Sequence, residues 1–263
     1  MYETNFHKAA TAQEAAALLS RSEDGKILAG GQTLIPTMKQ RLADPSDVID
    51  VSAAADLCGI TIAGDQVTIG AMTTHAEVAG HAALAALCPS ICKLAANIGD
   101  PAVRHRGTIG GSLANNDPAA DYPAAALALN ARIHTTSREI AADDFFEGMF
   151  TTALEDDEII TAVSFTAPAK GGYGKFPNPA SRYAMAGVFV AKLADGSVRV
   201  AVTGAGEDGV HRHDGLEAAL SADWAASAVD GVEISSDGLL SDLHGNAEYR
   251  ANLIKVMAKR ALG

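Results

Sequence analysis

The sequence predicts an α+β protein of two domains, and three observations support this class. Segments with helical spacing alternate with short strands along the 263 residues. Two alternating apolar segments flank Gly64-Asp65, which is typical of an antiparallel hairpin. A stretch containing Pro and Gly at residues 168–172 resembles a linker by composition. We therefore predict a larger domain over residues 1–170 and a smaller one over residues 171–263.

Local signals predict most elements of the first half. Thr11-Ala12-Gln13-Glu14 forms a capping-box pattern and predicts a helix through Leu19. Pro36 fits the first turn of the next helix. The predicted elements that follow the first helix are a strand at 26–29, a Gly30-Gly31 turn, a helix at 33–41, a strand at 48–51, hairpin strands at 59–63 and 66–70, and an alanine-rich helix at 75–98 broken at Gly80 and Pro89.

Residues 99–118 lose all periodicity and are rich in Gly, Asp, Asn and Pro. A long stretch of this kind inside a compact domain indicates a functional loop. The elements predicted after it are a helix at 121–130, a strand at 131–136, an acidic turn and helix at 143–148, a strand at 158–166, a strand pair at 186–193 and 197–202, and two or three helices, the last at 247–262.

Composition excludes several classes of function. The net charge is −12 at pH 7, which disfavours binding to nucleic acid or to an anionic membrane surface. Three cysteines cannot form a disulfide framework, and Cys88 and Cys92 lack the further ligands of a zinc or iron–sulfur site. No transmembrane segment or secretory signal is visible. We therefore expect a protein of the bacterial cytoplasm.

Two glycine-containing segments are candidates for a binding site. Residues 29–33 place Gly30-Gly31 between a strand and a helix, where free amides can bind an anion such as a diphosphate. Residues 98–121 combine a second Gly-Gly pair with small hydroxyls, carboxamides and two carboxylates, Asp117 and Asp121. Two such loops suit a long phosphate-bearing cofactor. The dinucleotide fingerprint G-x-G-x-x-G is absent, so a Rossmann site is not indicated.

Together the two segments resemble the FAD-binding medium subunit of molybdenum hydroxylases, the group of aerobic carbon monoxide dehydrogenase and xanthine dehydrogenase flavoproteins. The resemblance covers essentially the whole chain. It rests on two motifs about 75 residues apart, which are Ala29-Gly30-Gly31-Gln32-Thr33-Leu34-Ile35-Pro36 and Ile98-Gly99-Asp100-Pro101-(x)-Val103-Arg104-(x)-Arg106-Gly107-Thr108-Ile109-Gly110-Gly111-Ser112-Leu113. Thr33 departs from the Ser that the family often has, but it keeps the hydroxyl.

The resemblance implies a fold and a set of cofactor-binding residues. The implied fold is a bilobal FAD-binding domain of the vanillyl-alcohol-oxidase (PCMH) type, with its lobes divided near residues 50–60. A smaller α/β domain of the carbon monoxide dehydrogenase flavoprotein type follows. The implied FAD-binding residues are Lys26, Ala29, Gly30, Gly31, Gln32, Thr33, Leu34, Ile98, Thr108, Ile109, Gly110, Gly111, Ser112, Asn116, Asp121, Ile160, Lys175 and Tyr183.

Within that set, Asp121 matches a position near the ribityl chain, and Lys175 and Tyr183 match positions near the flavin ring. No protein acid or base and no metal ligand is implied, since the flavin carries the redox chemistry. His75 can cap a helix or line a pocket, and we favour a structural role for it.

The implied function is that of an oxidoreductase subunit that passes electrons from a [2Fe-2S] partner through FAD to a quinone, NAD or oxygen. The implied partners are a small [2Fe-2S] subunit and a large molybdopterin subunit, arranged as a dimer of heterotrimers. They would provide any peripheral contact with the inner membrane. Two alternatives stay open, a stand-alone FAD-dependent oxidoreductase and a non-catalytic interaction subunit. The substrate, whether carbon monoxide, an aldehyde, a purine or an N-heterocycle, is left open.

Overall fold

The computed structural model describes residues 1–263 and contains three main sheets. The first sheet is parallel, with strand order β1-β3-β2, and helices connect its strands. Its elements are β1 (Asn5–Lys8), α1 (Ala12–Leu19), β2 (Gly25–Leu28), α2 (Leu34–Lys39) and β3 (Asp47–Asp50). Thr11 accepts a hydrogen bond from the Glu14 amide at 3.1 Å, as the capping pattern predicts. The strand β1 lies at an exposed edge and has no apolar alternation, which is why the sequence did not reveal it.

The second sheet is antiparallel, with strand order β4-β5-β10-β6-β7, and it carries the helices of the middle of the chain. The predicted hairpin at Gly64-Asp65 and the helix breaks at Gly80 and Pro89 are confirmed. Its elements are β4 (Ile60–Ala63), β5 (Gln66–Gly70), α3 (His75–Gly80), α4 (Ala82–Leu87), α5 (Pro89–Ala96), α6 (Pro101–Arg104), α7 (Ile109–Asn115), α8 (Tyr122–Ala128), β6 (Arg132–Thr135), β7 (Glu139–Ala141) and β10 (Ile160–Thr166).

Two predictions for this region were wrong. Residues 99–118 contain the short helices α6 and α7, capped by the side chains of Asp100 and Thr108. Helices of four and seven residues are too short to show a hydrophobic period. Residues 143–148 do not form a helix: a 3₁₀ turn, Ala142–Asp144, leads into a small hairpin of β8 (Phe146–Gly148) and β9 (Thr151–Thr152).

The third sheet is antiparallel, with strand order β11-β12-β13-β14, and two helices follow it. Its elements are β11 (Lys170–Pro177), β12 (Ala184–Lys192), β13 (Val198–Thr203), β14 (His211–Arg212), α9 (Asp214–Ala222) and α10 (Ala247–Ala261). The linker predicted at residues 168–172 was wrong, because Lys170 already begins β11. The glycines there serve packing, since a Cβ on Gly172 would lie 1.7 Å from the carbonyl oxygen of Ala261 in α10.

The hydrophobic core continues across residue 170. A cluster of 31 buried residues packs the second sheet and α8, and it also includes Tyr173 and Phe189 of the third sheet. The other face of the third sheet packs against α9 and α10 in a second cluster of 18 residues. Almost all of β12 is therefore buried on both faces. The division into two domains near residue 170 stays a prediction. None of the helices has the length and apolar character that crossing a membrane requires.

Candidate functional site

A single large cavity lies where the first two sheets and the third sheet's β11–β12 connection meet. Its volume is about 610 Å³, within the range of small-molecule and cofactor sites. Residues from every part of this arrangement line it, so it forms only in the folded chain. The main lining segments fall within residues 26–37, 71–75, 98–121, 154–160 and 181–183. We call it the central cavity.

The first loop, residues 29–33, joins β2 to α2 and lines this cavity. The main-chain amides of Gly30, Gly31, Gln32 and Thr33 donate to no protein acceptor. Gly31 has φ +71°, a left-handed conformation that glycine adopts without strain. Successive free amides of this kind form a concave donor surface that favours an anion. The first loop can therefore bind a phosphate or diphosphate group.

Glycines also bring the first loop against the segment at residues 104–112. A Cβ on Gly30 would lie 2.2 Å from the carbonyl oxygen of Arg106. A Cβ on Gly110 would lie 2.6 Å from Cβ of Ala71, so α7 begins in direct contact with the end of β5. These two glycines are required by protein packing, and their contribution to the cavity is to hold its walls together.

The second candidate segment offers fewer free amides than its two glycines suggest. The amide of Ile109 donates to Thr73 O at 3.2 Å, and that of Gly110 donates to Ala71 O at 2.9 Å. The amides of Gly111 and Ser112 bond to Thr108. What remains toward the cavity is the Thr108 amide together with the side chains of residues 112, 115 and 117.

A buried ion pair stands behind one wall of the central cavity. Asp121 is 4% exposed and accepts a hydrogen bond from Lys175 Nζ at 2.9 Å, and the Tyr173 hydroxyl donates to its other oxygen. Burial raises the pKa of Asp121, and the ammonium of Lys175 opposes that rise. Lys175 also donates to Asn97 O at 3.1 Å. Lys175 therefore reaches the cavity wall through Asp121 and does not line the cavity itself.

Residues 158–160, which are buried, and residues 181–183, which are exposed, complete the lining of the cavity. Glu158 is buried and held by Arg138 and Thr135. Tyr183 is 45% exposed, and burial of its ring and the charges of Asp117 and Asp121 raise its pKa. Arg182 beside it has φ +63°, uncommon for a non-glycine residue. The structure thus places an aromatic ring and a guanidinium together at the rim.

All but three of the residues implied by the resemblance line the central cavity. Lys175 lies behind Asp121. Ile109 is 1% exposed in the core. The side-chain Nδ2 of Asn116 donates to Gly148 O at 2.8 Å and to Thr151 O at 2.9 Å, so it holds the β8–β9 hairpin. Its neighbour Asn115 lines the cavity instead.

Other lining residues were not singled out as cofactor-binding by the sequence, among them His75, Ser181 and Arg182. His75 was assigned a structural role because Thr73-Thr74 marks a helix start, and Thr74 does cap α3. The burial of its ring in the cavity wall depends on residues distant in sequence. No group of three or more His, Cys, Asp or Glu side chains is arranged to hold a metal ion.

Comparison with known proteins gives one matching family model, "FAD binding domain in molybdopterin dehydrogenase", over residues 2–168. The chain is 39% identical to the nicotine 6-hydroxylase medium subunit of Paenarthrobacter nicotinovorans, covering 96% of this chain and 94% of that one. It is 33% identical to the carbon monoxide dehydrogenase medium chain of Hydrogenophaga pseudoflava, covering 98% and 95%.

Solved structures show the same similarity. A chain of the reconstituted CO dehydrogenase from Oligotropha carboxidovorans superposes with a TM-score of 0.90 at 34% identity, covering 99% of this chain and 96% of that one. A chain of quinoline 2-oxidoreductase from Pseudomonas putida 86 superposes with a TM-score of 0.88 at 29% identity, covering 99% and 95%. The predicted α+β class of the FAD-binding, PCMH type is confirmed.

Proposed function

Because the chain belongs to the family of FAD-binding domains in molybdopterin dehydrogenases, we propose that it relays electrons from an iron–sulfur partner subunit, through FAD, to an external acceptor. Its membership makes it an FAD-binding oxidoreductase subunit of the molybdenum hydroxylase family.

The observation that carries the proposal is the set of four free amides of the first loop at one end of the central cavity. FAD fits this arrangement, because its diphosphate needs donors without competing protein acceptors. The close contact of Gly30 with Arg106 leaves no room for a side chain where the two walls meet. When bound, FAD supplies the redox chemistry, and the protein supplies binding and orientation.

Different residues of the chain would bind different parts of FAD. We assign diphosphate binding to the amides of residues 30–33, with Ser112 and the Thr108 amide on the facing wall. We assign to Asp121 the role of accepting hydrogen bonds from the hydroxyl groups of the ribityl chain of FAD. Lys175 and Tyr173 hold that carboxylate in place from behind. Tyr183, at the rim, is the residue we place beside the exposed edge of the ring.

We also propose that the chain assembles with a small [2Fe-2S] subunit and a large molybdopterin subunit, as a dimer of heterotrimers. Support comes from the names of its relatives, which are a medium subunit, a medium chain and a complex subunit alpha. Substrate oxidation would then take place on another polypeptide. The proposed acceptors are a quinone, NAD or oxygen.

Two measurements test the proposal. The purified chain, mixed with FAD and desalted, is expected to keep the visible absorbance of bound oxidised flavin; loss of all flavin would refute the assignment of the cavity. Tagged chain purified from its native cells is expected to bring iron and molybdenum with it. An active flavoprotein free of both metals would support a stand-alone oxidoreductase instead. Bleaching of the bound flavin by NADH would identify NAD as the acceptor.

A further inference from the structure

His75 is a buried residue of the cavity wall whose side chain has no hydrogen-bonding partner. The residue is 5% exposed, and Nδ1 is buried without a partner. Nε2 is not among the buried unpartnered atoms, and His75 lines the central cavity. The main-chain amide of His75 donates a hydrogen bond to Gly107 O at 3.0 Å, so only the ring lacks a partner. A buried polar ring that finds no partner in its own chain is an unusual feature that needs an explanation.

The ring lies between the central cavity and the core. Its centroid is 5.3 Å from that of Tyr122, which packs in the core on one side. On the other side is Gly107, where a Cβ would lie 2.5 Å from Nε2. Gly107 also touches the first loop, since a Cβ on Gly30 would lie 2.8 Å from its Cα. The Nε2 edge therefore faces Gly107, whose backbone contacts the first loop, while Nδ1 is buried without a partner.

The surroundings also determine which nitrogen carries the hydrogen. Burial and the nearby cation of Arg104 lower the pKa of His75 to about 4, so the ring is neutral at pH 7 with one N–H. Tyr122 is neutral as well, because burial raises its pKa well above the usual value. A hydrogen on Nδ1 would be a buried donor without an acceptor, and unpaired buried donors are rarer than unpaired acceptors. The hydrogen therefore belongs on Nε2.

We propose that His75 is an FAD-binding residue, whose neutral Nε2–H donates a hydrogen bond to an oxygen of the cofactor's diphosphate beside the first loop. This inference rests on the proposed function, because the acceptor belongs to FAD. It adds a side-chain donor from the start of α3 to the main-chain donors of residues 30–33.

Binding titrations of the cofactor-free chain test the role of the ring. We expect His75→Leu to weaken FAD binding about tenfold or more, measured by flavin fluorescence. His75→Gln is the matched control, because its amide nitrogen can take the position of Nε2, and it should stay within about threefold of wild type. ADP should lose affinity with His75→Leu as FAD does, whereas riboflavin should not. A loss confined to riboflavin would overturn the diphosphate assignment.

Two further readouts separate binding from a structural role. The cofactor-free His75→Leu chain should melt at or above the wild-type temperature, because an unsatisfied polar group is replaced by an apolar one. Nitrogen-15 NMR of the wild-type chain should show the Nε2–H tautomer for the signal that His75→Gln removes. An Nδ1–H tautomer, or equal FAD affinity of His75→Leu and wild type, would overturn the role of His75 alone. Failure of the wild-type chain to bind FAD would overturn the proposed function together with it.

Discussion

At the level of single residues, the two walls of the central cavity meet where Gly30 faces the carbonyl of Arg106. A methyl group on Gly30 would lie 2.2 Å from that oxygen, so the walls must separate to accept it. We expect Gly30→Ala to destabilise the chain by about 1–3 kcal/mol and to weaken FAD retention. Urea unfolding and flavin retention after desalting measure the two effects. Gly80→Ala is the control, since nothing lies within 4 Å of its added methyl. Equal behaviour of the two variants would contradict the role of Gly30 in joining the walls.

The ion pair behind the cavity gives a second prediction for single residues. Lys175→Met leaves the buried carboxylate of Asp121 without its counter-charge, and breaking such a pair destabilises by about 3–5 kcal/mol. The pKa of Asp121, already raised by burial, rises further in this variant. The charged form is then disfavoured in the folded state only, so the deficit grows as the pH rises through that pKa and vanishes at acid pH.

Chemical unfolding of Lys175→Met across acid and neutral pH measures this dependence. The double variant Lys175→Met with Asp121→Asn removes the charge and should recover part of the lost stability at neutral pH. A deficit that is independent of pH, and that the double variant does not reduce, would show that Lys175 contributes packing rather than charge. The pair joins residues 54 positions apart, so no local pattern in the sequence could reveal it.

At the level of elements, the glycines at residues 171–172 suggested a flexible linker, but Gly172 belongs to β11 and allows α10 to pack closely on that strand. Gly172→Ala would place a methyl 1.7 Å from Ala261 O in α10, and only a shift of the helix can accommodate it. We expect a loss of at least about 1–3 kcal/mol, measured by thermal or urea unfolding. Its neighbour Gly171 is the control, because the contacts of its methyl would be much longer, 3.1 Å to Oγ of Ser90 and 3.3 Å to Val190 O. A larger loss at Gly171 than at Gly172 would be inconsistent with this account.

These elements also show which structural features can be predicted from residues adjacent in the sequence. The cap at Thr11 and the hairpin at Gly64-Asp65 were predicted correctly, because each depends on residues adjacent in the chain. The two motifs that carry the family resemblance fall in segments that line the cavity. Gly172, Asp121 and His75 were harder, since their roles depend on a helix, a lysine and a glycine far away in sequence. Local composition shows where the backbone is free to adopt unusual conformations, but it does not show which distant element packs against those residues.

For the whole molecule, the continuous core makes a prediction about cooperativity. Trp224 is the only tryptophan and packs against the core beneath α9 and α10, so its fluorescence reports the third sheet. Release of FAD reports the central cavity, whose first loop lies near the start of the chain. Tyr173 and Phe189 join the third sheet to the core of the second. We therefore expect both signals to change at the same urea concentration, in one cooperative transition.

Added FAD should move both signals together. Ligand at about 100 times its dissociation constant stabilises a folded protein by about 2.7 kcal/mol, and the linkage acts on whatever unit unfolds as one. If the chain divides near residue 170 into independent domains, only the flavin signal will shift with FAD, and Trp224 will unfold at an unchanged urea concentration. Coincident shifts would instead mean that residues 171–263 unfold in one unit with the cavity, held to it by the shared core and by Lys175, whose contact with Asp121 crosses the predicted boundary.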